Sequence, residues 1–301
     1  MYDKSIVESA CHQHPKRYFC AVSYCITHLG ICQNILKFVR IFCNTVSRMT
    51  EIKDFFIKEN IIEHIPNEAY DAIKSIIEDI DAFSRTTYKS VYVIDYHKQN
   101  FLYVTNNPLF LCGMNADEVK ELGYNFYINH VTPDDLELLL EINFAGFQFL
   151  ENIPSEELRD YTVSYDFHII NKESKKKQLI NHQITPLRLT ENGNVWLGLC
   201  VASISSGDIS GNIEMFKSNS SVYWSYNRKN KKWEEKARPQ LKEIEKEVLR
   251  LSAMGFTMHE IADKIHRSFD TVKVYRKNLF EKLDVDNISE AICYAMNRKL
   301  I

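Results

Sequence analysis

The chain has 301 residues, room for two domains with a core in each. Its 37 Lys and Arg against 40 Asp and Glu leave a net charge of -3. That excludes strong indiscriminate attraction to nucleic acid, so any such affinity must come from local charge. Nine glycines and seven prolines in the whole length exclude long flexible linkers.

Residues 1–48 stand apart in composition. Five of the eight cysteines lie here: Cys11, Cys20, Cys25, Cys32 and Cys43. Lys16-Arg17 before the apolar run Tyr18 to Cys32 superficially resembles a signal peptide. Ser23, Thr27 and His28 interrupt the run, and no small-residue cleavage site follows. The spacing of Cys11, His12, His14 and Cys20 matches no standard metal site. An ordinary amphipathic pattern begins at Met49, which makes Met49 an alternative start. Residues 49–88 read as a helical extension, with Ile52, Phe55 and Phe56, then Ile73, Ile76, Ile77 and Ile80 at helical spacing. It is expected to pack on the next domain or to pair two protomers.

Residues 89–206 read as one α+β domain. Val91–Ile94 and Phe101–Val104 form a hairpin, followed by short helices near 106–111 and 116–122. Thr132, Pro133, Asp134 and Asp135 mark a helix start: a cap, a proline in the first turn and acids on the positive end of the dipole. Three long strands follow, 161–171, 177–189 and 194–205. Residues 207–238 read as a connector. It holds a hairpin of 213–217 and 222–226 anchored by Trp224 and Trp233, then a basic stretch (Arg228 to Arg238) that reads as a source of phosphate contacts or, by a small margin, as a solvated linker.

Residues 239–301 carry the clearest signal. A helical run from Leu241 to Met254 ends at Gly255, which can adopt the left-handed conformation. Thr257 with Glu260 three residues on is a capping box for a second helix from Met258. Ser268 caps a third, Phe269–Leu283, whose apolar stripe is Phe269, Val272, Leu279 and Leu283. Ser289 is read as the cap of a fourth, with Ala291, Ile292, Ala295 and Met296 as its apolar side. On the third helix Lys273 and Lys277 lie one turn apart beside Val274. Lysine can donate to guanine and valine can meet a thymine methyl. Arg276 and Lys282 suit phosphate, and so does Thr271 at the helix N-terminus.

The residues Glu245, Glu247, Val248, Leu249, Leu251, Gly255, Glu260, Ile261, Ala262, Ser268, Thr271, Val272, Lys273, Val274, Leu279, Lys282, Leu283, Val285, Glu290 and Ala291 resemble the LuxR-type (GerE-like) helix-turn-helix domain of bacterial transcription regulators. The resemblance implies a four-helix domain whose third helix reads double-stranded DNA and whose fourth supports a homodimer. The chain departs from it at Arg267, Tyr275 and Asp284, where members usually carry a small apolar residue, His and Gly. The run Ile265-His-Arg-Ser-Phe-Asp-Thr271 resembles a variant in regulators of Bacteroides-like bacteria. Residues 89–206 resemble a PAS domain, on the strand Val91–Asp95, Asn106-Asn107-Pro108 and the step His130–Asp135. PAS domains sense signals or dimerise, and this one names no ligand. His130 and His168 read as structural rather than haem ligands, and no cofactor is expected.

The expected architecture is therefore an α+β PAS-like domain followed by an all-α four-helix reader. No nucleophile–base pair or phosphate loop indicates an enzyme, and no acidic receiver domain indicates control by phosphorylation. The expected protein is a cytoplasmic transcription regulator without a membrane span, with RNA polymerase as a further candidate partner. The competing reading is a PAS-like protein-interaction adaptor that no longer binds DNA specifically, motivated by Arg267.

Overall fold

A computed structural model describes residues 51–56 and 60–301 of the chain. The expectations for residues 1–48 and for Met49 as a start lie outside those residues. A 3-10 turn, Ile52–Phe55, precedes helices α1 (Asn67–Ala72) and α2 (Lys74–Ser84). The hairpin β1 (Ser90–Asp95) and β2 (Asn100–Val104) follows, then α3 (Pro108–Leu111), α4 (Ala116–Leu122), α5 (Asn125–His130) and α6 (Pro133–Leu150). Six strands come next: β3 (Tyr161–Ile170), β4 (Lys177–Leu189), β5 (Val195–Ile204), β6 (Gly211–Lys217), β7 (Val222–Asn227) and β8 (Lys232–Ala237). The chain ends in α7 (Glu243–Ala253), α8 (Met258–Lys264), α9 (Phe269–Leu283) and α10 (Ile288–Asn297). Among the described residues no helix is long and apolar enough to cross a membrane.

All eight strands form one antiparallel sheet in the order β2-β1-β5-β4-β3-β6-β7-β8. The first five give the PAS-like order 2-1-5-4-3, in which the last strand returns to the centre beside the first. Alternation along each strand gives the sheet two faces. Tyr92, Ile94, Phe167, Ile180 and Cys200 point into a core closed by α3 to α6. Val93, Leu197 and Leu199 point the other way and are covered by Ile65, Ile73, Ile76 and Ile80. The helical extension thus packs on the sheet, as one of its two expected placements had it.

The connector is more than a hairpin. β6 bonds to β3, and β7 and β8 extend the same sheet. The basic stretch is therefore a turn and an edge strand, not a solvated linker. Arg228 and Lys231 pair with Glu141 of α6, and the Trp233 indole donates to the Ala145 carbonyl at 3.2 Å. Trp224 and Trp233 both meet Phe149 edge-on, at 5.3 and 5.2 Å.

Local chemistry sets the ends of the last four helices. Gly255 takes φ +89 and closes α7. The Thr257–Glu260 capping box and the Ser268 cap are formed as expected. The cap of α10 is Asn287 rather than Ser289: its side chain accepts from the Glu290 amide at 3.0 Å. Val248, Leu249, Ile261, Val272, Leu279, Leu283, Ala291 and Ala295 fill this domain's core. Phe269 stays at its margin, stacked on His259 at 4.2 Å.

Candidate nucleic-acid interface

The turn between α8 and α9 positions the interface. His266 adopts φ +52, the Arg267 amide donates to the Ala262 carbonyl at 2.9 Å, and the chain reverses into the Ser268 cap. The Arg267 side chain is exposed, with its guanidinium donating to the His266 carbonyl at 3.2 Å. Its charge therefore sits beside the α9 N-terminus and not in the core.

α9 buries Val272, Leu279 and Leu283 and turns Asp270, Lys273, Val274 and Lys277 to solvent. Val274 is 54% exposed. Lys273 lies over the Phe269 ring at 4.8 Å, and Lys277 faces Glu281 at 3.6 Å. Both ammonium groups are held only by surface contacts and can turn to a ligand. Thr271 is half-buried in the first turn; its hydroxyl is 2.8 Å from that of Ser268, and its amide donates to Ser268 Oγ at 3.2 Å.

The remaining two expected residues lie closer against the domain. Arg276 is half-buried over Phe280 at 5.7 Å, and burial lowers its pKa. Lys282 reaches back to α7 and holds Glu245 at 2.6 and 2.8 Å, a carboxylate 2% exposed. Its contact with Glu245 makes it a strut between helices. No local pattern announces that partner, which lies 37 residues away. Sequence reasoning also missed His259, which fixes Phe269 and so the platform under Lys273.

Asp284 explains one departure from the LuxR-type pattern. It ends α9 at φ +54, ψ +56, its amide donating to the Phe280 carbonyl. Glycine adopts this conformation without a Cβ penalty. Asp284→Gly is expected to stabilise the chain by about 1 kcal/mol, the cost of holding an L-residue in the left-handed region, checked by urea unfolding.

The PAS-like domain holds a cavity of about 80 Å³ between sheet and helices. Its walls include Phe55, Tyr96, Tyr124, Tyr127, Phe147 and Tyr165, and among the described residues none of the lining side chains is charged. Burial pushes the Tyr96, Tyr124, Tyr127 and Tyr165 hydroxyls up, so they stay neutral. Asn143 is the one amide in the wall and donates to the Phe55 carbonyl. The two histidines weighed as haem ligands are engaged elsewhere: His130 Nδ1 lies 3.0 Å from the Ile170 carbonyl and His168 Nδ1 2.9 Å from Asp135.

Residues 240–295 match the family of bacterial regulatory proteins, luxR family. The response regulator protein VraR of Staphylococcus saprophyticus is 30% identical over 210 residues, 64% of this chain and 99% of that protein. VraR of Staphylococcus aureus is 39% identical over 61 residues, so this chain spans 29% of that relative and 20% of its own length takes part. Among solved structures, the Vibrio cholerae VqmA dimer, described as a LuxR-type receptor, is 16% identical with a TM-score of 0.31, covering 73% of this chain and 87% of that one. A PAS domain from Colwellia psychrerythraea is 14% identical with a TM-score of 0.32, covering 43% and 96%. Likenesses this slight add nothing to the topology already described. With the matched helices, their caps and the near-complete coverage of the first relative, the chain belongs to the luxR family of bacterial regulatory proteins.

Proposed function

We propose that the chain is a cytoplasmic, sequence-specific transcription regulator that binds double-stranded DNA as a homodimer and reads the major groove with α9. The observation that carries this reading is the outward face of α9, where Lys273, Val274 and Lys277 stand exposed together beside an exposed Arg267. Lysine and valine at this spacing offer one donor pair and one methyl-sized apolar contact to base edges. Thr271 and Arg267 supply phosphate contacts at the helix N-terminus, and RNA polymerase is the further protein partner. The exposed Arg267 also removes the motive for the adaptor reading, since it leaves the domain core intact.

The PAS-like domain senses a small uncharged molecule in its aromatic cavity. The neutral, tyrosine-lined wall supports that class and disfavours ions, which would lose hydration without a countercharge.

Selection of bound sequences from a random DNA pool tests the DNA reading. Enrichment of a two-fold motif is the expected result, and no enrichment at either low or moderate salt would sink it. The sensing reading is tested by thermal unfolding of the chain with a panel of small uncharged aromatic compounds. At least one should raise Tm; none doing so would remove the sensing role.

A further inference from the structure

α10 grips the sheet on the face opposite the cavity, and the grip is polar. Asn297 is 6% exposed and uses its whole amide there. The Ser203 hydroxyl donates to its Oδ1 at 3.2 Å, and its Nδ2 reaches the Ile204 carbonyl at 3.5 Å. The Gln183 side chain donates to the Asn297 backbone carbonyl at 3.2 Å. Arg298 follows, paired with Glu214 and lying over the Phe216 ring at 5.1 Å. These contacts span β4, β5 and β6. The side of α10 toward its own domain is apolar and carries Ala291 and Ala295. One helix thus has an apolar side that stays buried and a polar side whose bonds water can replace on opening.

The other face of the same strands reaches the cavity. Tyr127 lines it, and its hydroxyl is 2.5 Å from that of Tyr92. The Tyr92 hydroxyl lies 2.6 Å from His182 Nε2. His182 is 1% exposed, and its Nδ1 has no hydrogen-bond partner among the described residues. Among the described residues Tyr92 is therefore its one hydrogen-bonded side-chain anchor. Gln183 is the next residue of β4, and successive strand residues point to opposite faces. A shift of His182 within the core accordingly moves the amide that holds Asn297.

We infer that the α10–sheet seam is a releasable latch between reader and sensor, opened from the cavity through Tyr127, Tyr92, His182 and Gln183. This rests on the reading of the cavity as the sensing site. A molecule that draws the Tyr127 hydroxyl toward itself loosens Tyr92 and His182, and Gln183 loses its hold on α10. The reader domain then leaves its fixed orientation. A two-state seam biased from both sides is the physical requirement for such coupling.

The test uses the full chain with spin labels at Lys120 and Asp263, both exposed, introduced as unnatural amino acids and read by pulsed electron resonance. The parent should give one narrow distance. Asn297→Ala and Glu214→Gln should each move at least a third of the molecules to a broad, second population. Tyr127→Phe should do the same without any ligand. Tyr124→Phe removes a cavity hydroxyl outside the relay and should keep the parent distance. Thermal unfolding of each variant separates opening from loss of fold, and Glu214→Gln leaves α10 itself unaltered.

A narrow distance in both Asn297→Ala and Glu214→Gln overturns the latch. Tyr127→Phe matching Tyr124→Phe overturns the route from the cavity. Neither result touches the sensing reading, which stands or falls on the thermal shift of the parent chain with compounds.

Discussion

Replacing Lys273 and Lys277 together by alanine is expected to abolish sequence preference while the domain stays folded. Each well-placed contact to a base edge is worth about 1–3 kcal/mol. Losing both should cost about 3 kcal/mol at the selected site, more than a hundredfold in Kd. The fold should not notice, because the two side chains are exposed and hold only a ring face at 4.8 Å and a surface carboxylate at 3.6 Å. Surface pairs of this kind contribute about 0–1 kcal/mol. Titration of the selected site and of a scrambled one by fluorescence anisotropy at two salt concentrations is the check. Parent-like discrimination in the double variant would remove α9 as the reader. A uniform loss on both DNAs would make the two lysines phosphate contacts instead, since those carry no sequence information.

The helices of the reader domain were legible because their signals are local. Thr257 with Glu260, Ser268 before Phe269 and Gly255 after Met254 each act within one turn, and each is formed. The same rule applied strictly would have found Asn287, which has Glu290 three residues on; Ser289 has no acid at that spacing. The strand β8 failed for a different reason. Lys232-Trp-Glu-Glu-Lys-Ala237 alternates nothing apolar, as suits an edge strand whose charges deter further pairing. The five strands of the PAS-like part were legible one by one from alternation. Their order was reached only through the family resemblance, because pairing β1 with β5 joins residues a hundred positions apart. Two parts of the site stayed hidden on similar grounds. The Tyr127–Tyr92–His182 chain and the Lys282–Glu245 pair join residues distant in sequence, and no periodicity encodes such meetings.

The PAS-like sheet and the C-terminal helices meet through polar contacts. The α9 face that carries Lys273, Val274 and Lys277 points to solvent while α10 is held on the sheet, so docking leaves the lysines accessible and constrains only their direction. In a dimer, the separation between two α9 helices sets which half-site spacing fits. A fixed reader would select one spacing, and a released one would tolerate several. Control through orientation requires no change within the reader domain itself, whose core is separate from that of the sheet.

Lys282→Met should unfold the reader domain far more readily than it weakens any phosphate contact. Glu245 is 2% exposed and accepts from the Lys282 ammonium and from the Lys242 amide at 2.7 Å. Removing one partner from a buried pair leaves the other charge uncompensated, at a cost of about 3–5 kcal/mol. Lys282 is a third exposed, so the low end, about 3 kcal/mol, is the expected loss. Urea unfolding followed by helix signal should show it, and the double variant Glu245→Gln/Lys282→Met should recover much of it because no buried charge remains. The same pair sets an acid limit. Burial alone would raise the Glu245 pKa, but the hydrogen bonds from Lys282 and Lys242 outweigh it and leave the pKa lowered. A lowered folded-state pKa stabilises at pH values above the ordinary glutamate value, about 4.3. That contribution is lost as pH falls through the folded value. The parent reader domain should therefore lose stability below about pH 4, and Glu245→Gln should flatten that slope. Equal slopes in parent and variant, or a Lys282→Met chain as stable as the parent with weakened DNA binding, would return Lys282 to the phosphate-contacting role that its position on α9 first suggests.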